Sequence, residues 1–159
     1  MGKRSDFERR ERDYYPTPYE AVVPLLSHLK EETWFHEPCA GDGFLIEHLK
    51  KHGHRCHYAS DIEPQAEGIF QQDALKWEKP EFEYSEICFI TNPPWDRKVL
   101  HPLIVYLGSI APTWLLFDAS WMHTKQSSHL MLYCRKVVSV GRVKWFRNSQ
   151  HTGKDDCCW

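Results

Sequence analysis

Residues 86–95 read EICFITNPPW, an apolar run that ends on two consecutive prolines. No other stretch limits the fold as strongly. Proline fixes its own φ, lacks a backbone N–H and pushes the preceding residue out of the helical region. EICFIT (86–91) therefore reads as a buried strand that stops at Asn92, and Asn92 and Pro93 are both held extended because each precedes a proline. Their carbonyls and the Asn92 side chain then point in fixed directions from a strand end. Such a rigid pair of acceptors suits an amino group attached to a flat ring. Accepting both of its protons orients the nitrogen and offsets positive charge as it attacks. Trp95 offers a flat face for stacking the ring, worth about 1–3 kcal/mol. A rigid turn with a packed tryptophan needs neither the amide nor the second proline.

Around this junction strands alternate with helices. Apolar residues at Ala21, Val22, Leu25, Leu26 and Leu29 make a helical stripe within 18–30. TWFHEP (33–38) is a short strand, and GDG leads into a helix holding Phe44, Leu45, Ile46 and Leu49. CHYASD (56–61) alternates as a strand, and GIFQQD (68–73) is a weaker one. A helix is expected around 97–110, starting close to Pro102 or kinked there. TWLLFDA (113–119) reads as a strand, 124–133 as a helix, and 137–146 with 155–159 as a hairpin. This order predicts an α/β sandwich with a mainly parallel sheet and an antiparallel C-terminal hairpin. Residues 1–14 read as a flexible arm and 15–159 as a single domain.

In such sheets ligands sit beyond the carboxyl ends of the strands. The predicted strands end in EPCAGDG (37–43), SDIEP with Asp61, Asp73, and Asn92-Pro93-Pro94-Trp95. Gly41 and Gly43 allow a tight turn and a close approach of backbone to ligand. Asp61, about twenty residues on, is placed to accept from ribose hydroxyls, and Asp73 can accept from an adenine amino group. Together they point to a nucleoside-bearing cofactor.

With these segments in order, the chain resembles class I S-adenosylmethionine-dependent methyltransferases of the DNA adenine-N6 type, a Rossmann-like fold, and in length the short phage or bacterial ones. YPTP (15–18), EPCAGDG, SDIEP, QDAL (72–75) and NPPW look like that family's motifs, covering about residues 14–96. The resemblance implies that Tyr15, Thr17 and Pro18 bound the methionine end of S-adenosylmethionine. Glu37, Pro38, Cys39, Ala40, Gly41 and Gly43 would line its loop, with Asp61 and Ile62 on the ribose side and Asp73 and Ala74 near its adenine. Asn92, Pro93 and Pro94 would hold the target amino group and Trp95 its base, Asn92 lying between cofactor and target. The adenine would be flipped out or unpaired, and transfer would be direct, without metal. Such enzymes usually carry a sizeable target-recognition region, for which this chain has no room. Selectivity would then fall to the arm, the loop after Trp95 or the basic hairpin, and the last strand stops abruptly at Trp159.

A formal net charge of −2 announces no global basic field, so a nucleic-acid surface must be local. Arg142, Lys144 and Arg147, interleaved with Trp145 and Phe146, are where phosphate contacts are expected, although a solvated hairpin would look the same. The six cysteines show no CxxC spacing, and no signal peptide or membrane-length apolar run is present. A reduced, soluble, cytoplasmic protein, in a bacterial cell or a phage host, is the simplest reading. HGHRCH (52–57) could hold zinc but reads as a solvated loop. Trp121 suits the target pocket or the core equally, and Asp118 could cap the following turn. Unpaired RNA adenine, a protein glutamine amide, or a binding module without turnover remain as alternatives to DNA adenine.

Overall fold

Strand order follows from which side chains each short strand must hide. The computed structural model describes residues 14–76, 87–146 and 150–159. Five strands form one parallel sheet: β1 (Trp34–Glu37), β2 (Arg55–Asp61), β3 (Phe70–Gln71), β4 (Cys88–Thr91) and β5 (Thr113–Leu115), in the order β3-β2-β1-β4-β5. Parallel neighbours need long crossovers, and helices supply part of them: α2 (Phe44–Lys50) between β1 and β2, and α3 (Arg97–Ile110) between β4 and β5. The order reverses between β1 and β4, which opens a crevice at their carboxyl ends.

Both faces of this sheet are covered. Successive strand residues point to opposite sides, so Ile90 joins Phe35, Leu45 and Leu49 under α1 (Tyr19–Leu26) and α2. Phe89 instead packs on Leu103 and Leu107 of α3. Each such side chain stabilises the fold by about 1.5–3 kcal/mol relative to exposure. His36 lies in the same strand layer, 2% exposed. Burial and the neighbouring His57 lower its pKa to about 4, so it stays neutral in the core.

The second half of the chain departs from the expected pattern in three places. Helix α3 fills the expected 97–110 but starts at Arg97 rather than close to Pro102, because the Asp96 side chain accepts from the Lys98 N–H (2.9 Å) and caps it there. The expected strand 113–119 divides at Leu116. Its carbonyl accepts from the Trp95 indole (3.1 Å), and beyond it β6 (Phe117–Asp118) enters a second sheet. That sheet has the order β6-β8-β7, with β8 (Cys157–Cys158) antiparallel to both β6 and β7 (Ser139–Gly141). Thus the expected hairpin pairing exists, but within a second sheet, where β8 lies between β6 and β7.

Residues 124–133 are not the expected helix. They form turns and one 3-10 turn, Met131–Tyr133. The Ser127 hydroxyl donates to the carbonyls of Thr124 (2.8 Å) and Met122 (3.0 Å), and the Ser128 hydroxyl to that of Lys125 (2.9 Å). Such local bonds compete with helical ones. Trp121 is a core residue: with Leu100 and Leu130 it forms a small cluster, and its indole donates to His101 Nε2 (2.9 Å). Asp118 caps the following 3-10 turn by accepting from the Ser120 N–H.

Candidate active site

The chain leaves β1 at Glu37 and turns through Pro38-Cys39-Ala40-Gly41-Asp42-Gly43 into α2. Gly41 has φ +52° and Gly43 φ +81°, a region that side chains rarely adopt. At Gly41 space matters as well, since a Cβ there would lie 2.7 Å from the Tyr14 ring. The loop is stapled to β2. Ala40 N–H donates to the Ser60 carbonyl (2.9 Å) and Gly41 N–H to Asp61 Oδ2 (2.8 Å), while Asp61 Oδ1 accepts from Glu63 N–H (2.8 Å). Each Asp61 oxygen keeps a second lone pair for another donor. Asp73 is similar: its Oδ1 caps the Ala74–Lys76 turn by accepting from Leu75 N–H (3.0 Å), and its Oδ2 stands 3.9 Å from Lys76 Nζ.

Asn92 follows β4 and is tied to the segment before α1. Its Nδ2 donates to the Tyr15 carbonyl (3.3 Å) and to Thr17 Oγ1 (3.2 Å). A carbonyl can only accept, so the atom facing Tyr15 must be the amide nitrogen. This fixes the flip of the amide and leaves Oδ1, the acceptor, for something else.

These ends surround one cavity of about 270 Å³. Of the residues expected from sequence, Tyr15, Thr17, Glu37, Pro38, Cys39, Ala40, Gly41, Asp61, Ile62, Asp73, Ala74, Asn92 and Pro94 line it. Pro18, Gly43, Pro93 and Trp95 do not. Pro18 precedes α1 and accepts from Ala21 N–H, Gly43 turns the chain into α2, and Pro93 is buried. Tyr14, assigned to the arm from sequence, lines the cavity, as do Asp42, Gln65, Val99 and Leu103. Val99 and Leu103 share one face of α3 at i, i+4 spacing, a signal the sequence carried. Residues 1–13 of the arm lie outside the described residues.

Glu37 dominates the electrostatics. It is 1% exposed, and its Oε2 meets no hydrogen-bond partner among the described residues. Burial, then the charges of Asp61 and Asp42, raise its pKa well above the carboxylate range. A buried carboxyl on a cavity wall without a donor fits a ligand that brings a cationic one. Burial and Asp61 likewise push the Cys39 thiol up, which makes it a neutral wall rather than a nucleophile.

On the far side of Asn92 an aromatic group closes the lip. Trp95 meets Trp145 edge-on (5.6 Å, 83°), and Tyr15 touches both Trp145 (6.2 Å) and Phe146 (5.8 Å). The sequence placed Trp145 and Phe146 among basic residues but not beside Tyr15 and Trp95, because their approach depends on tertiary pairing of distant segments. Gly153 makes room, since a Cβ there would lie 3.0 Å from the Trp145 ring. The backbone N–H of Lys144 donates to the Glu20 carboxylate of α1. Arg142 and Lys144 are exposed, Arg142 Nε lying 3.7 Å from Asp156. Arg147 lies outside the described residues.

The HGHRCH histidines diverge. His52 stacks on Tyr19, His54 is buried, and His57 packs edge-on against His36. Among the described residues no group of three or more His, Cys, Asp or Glu could hold a metal ion. All six cysteines are free. No helix among the described residues is long and apolar enough to cross a membrane.

A parallel sheet reversing between β1 and β4, with its glycine loop and acidic strand ends around one crevice, defines a Rossmann-like α/β chain with the class I methyltransferase fold. Among solved structures, it is similar to the crystal structure of a candidate RNA methyltransferase from Pyrococcus horikoshii. The TM-score is 0.55 at 13% sequence identity, over 87% of this chain and 78% of that one. At that identity the likeness is one of fold. No protein-family profile matches the chain, and no curated protein matches it in sequence.

Proposed function

We propose that the chain transfers a methyl group from S-adenosylmethionine to the exocyclic N6 amino group of adenine in DNA. The observation that carries this reading is the Asn92 amide. With its nitrogen committed to Tyr15 and Thr17, its oxygen is a fixed acceptor at the edge of the cavity that Glu37, Asp61 and Asp73 line.

The residues present fit the cofactor. Glu37 would meet the ammonium group of its amino-acid end, where Gly41 offers backbone without a side chain. Asp61 would accept from the ribose hydroxyls, and Asp73, with Ile62 and Ala74, would hold the adenine. Bound there, the cofactor supplies an activated methyl group on a sulfonium. Asn92 Oδ1 and the Pro93 carbonyl accept the two amino protons of the target adenine and fix its nitrogen. The Asn92 dipole, held by Tyr15 and Thr17, stands in place before positive charge builds on that nitrogen, so little reorganisation is needed as it attacks. The surplus proton leaves to water, and no side chain forms a covalent bond. Trp95, anchored through its indole N–H, offers one wall for the target base, while Arg142, Lys144 and Arg147 supply phosphate contacts.

A second reading replaces DNA by RNA with the same pocket; the description of the Pyrococcus horikoshii protein favours keeping it. The test is methyl transfer with labelled cofactor on duplex DNA, single-stranded DNA and RNA, with Asn92→Ala as control. Label in DNA that is lost in the variant supports the main reading. Label confined to RNA selects the second, and cofactor binding without label in either polymer refutes both.

A further inference from the structure

Outside the cavity, the stretch from Leu132 to Val137 is fully given over to solvent. All six residues are exposed, Leu132 at 82% and Tyr133 at 72%. Three large apolar side chains, Leu132, Tyr133 and Val137, are thus left exposed within one six-residue stretch, whereas such residues are ordinarily scattered singly. Arg135 and Lys136 lie within it. The surrounding charge is one-sided as well. Residues 119–154 carry seven lysines and arginines and no aspartate or glutamate, in a chain whose formal net charge is −2. Acidic residues gather at the cavity instead, where Glu37, Asp42, Asp61, Glu63 and Asp73 line the wall.

This stretch adjoins the site. Leu130 and Met131 pack with Trp121 on Leu100 of α3, the residue after cavity-lining Val99, and Arg97 donates to Gln126 (2.7 Å) nearby. In the other direction Val138 pairs with Trp159, β7 follows, and exposed Arg142 and Lys144 lead to Trp145 and Phe146 beside Tyr15. A ribbon of chain, exposed at Ser139, Arg142 and Lys144 and buried at Val138 and Val143, therefore runs from Tyr133 to the aromatic lip.

We propose that Tyr133, Arg135 and Lys136 form a docking track for the single strand of nucleic acid that flanks the target base. Phosphates match the two cations and the lack of acidic residues in 119–154, and an exposed tyrosine offers the ring on which an unpaired base stacks. An exposed ring stacks on a base only when that base is out of a duplex, so the occupant is a single strand. A twofold dimer through this stretch would set Arg135 and Lys136 of two copies against each other. The core of a protein interface is depleted in charge, unlike this ribbon. The inference rests on the reading of the site above only for where the track leads.

The experiment is fluorescence anisotropy of the full chain with a labelled adenine-containing oligonucleotide, single-stranded DNA and RNA in parallel, across a salt series. Tyr133→Ala should weaken binding about tenfold, within the range for a lost base stack. Arg135→Glu with Lys136→Glu should make the log–log salt dependence shallower by about 1.4, from ~0.7 per phosphate contact on a single strand. S-adenosylmethionine affinity by calorimetry and the circular dichroism spectrum should not change. Four results would overturn the track: a wild type that binds no oligonucleotide, variants that bind with unaltered affinity and slope, variants that change only the oligomeric state, or loss of cofactor and oligonucleotide affinity together. Oligonucleotide binding that depends on Tyr133 without methyl transfer would leave the track standing and remove the proposed reaction.

Discussion

The two lips of the crevice are built on opposite principles. The cofactor-side lip is acidic and built from one stretch of chain, β1 through Asp73. Two left-handed glycines, a capped turn and the Asp61 carboxylate, which joins Gly41 N–H to Glu63 N–H, fix it. The other lip, from Trp95 through the second sheet, is basic, aromatic and irregular. It is fastened by a few contacts between distant segments: Trp159 Nε1 to the Ala21 carbonyl (2.7 Å), Lys144 N–H to Glu20, and Trp95 Nε1 to the Leu116 carbonyl. A site for a small cationic cofactor can be prefabricated by local sequence. A surface for a long, variable polymer is assembled late, from whatever the tertiary fold brings together.

The largest effect should come from cutting a long-range fastening. Trp159→Ala removes a 4% exposed indole and its buried hydrogen bond, and should cost about 3–5 kcal/mol by denaturant unfolding. Hydrogen exchange should then speed up in 137–159 while β1 and β2 stay protected; equal loss in both would break the contrast. On the shared edge, Asn92→Ala should lower the rate of methyl transfer about 10²–10³-fold at saturating cofactor, by analogy with removing one preorganised dipole, and should also weaken cofactor binding, since it releases Tyr15 and Thr17 of the cavity wall. On the local lip, Gly41→Ala should cost about 1–3 kcal/mol in stability or cofactor binding, because the left-handed φ and the Tyr14 ring both oppose a Cβ.

Glu37 sharpens the comparison through pH. Its pKa is raised in the fold, so above pH 4.5 the native state keeps a proton that the unfolded chain has lost. Stability from this group therefore falls as pH rises from 4.5 toward its folded value. Glu37→Gln should flatten that part of the stability–pH curve and also weaken cofactor binding. His36 acts in the opposite sense, its stability contribution being lost as pH falls from 6.5 to about 4. The smallest effect belongs to Gly108, exposed in α3, where an added methyl group would meet nothing within 4 Å. Gly108→Ala should stabilise the chain by about 0.5–1 kcal/mol and leave transfer untouched.

The same division governs what the sequence disclosed. β1, α2, β2 and β4 were legible because apolar periodicity, glycines and prolines act within a few residues. The acidic strand ends converge on one cavity for the same reason, since a parallel sheet puts all its carboxyl ends on one rim. Beyond α3 that logic weakens. Ser127 and Ser128 turned an apparent helical stripe into turns, and the Trp95 indole divided an apparent strand at Leu116. Trp145 looked like part of a solvated hairpin because its neighbours Trp95 and Tyr15 lie far away in the chain.

Asn92 also gains chemical longevity from the residue that positions it. Asparagine side chains age chiefly when the following backbone nitrogen, carrying its hydrogen, closes a five-membered imide on the amide carbon. Pro93 has no such hydrogen, which blocks that route at the one amide whose conversion to a carboxylate would set a negative oxygen against the Tyr15 carbonyl. The proline that aims the side chain thereby slows its decay.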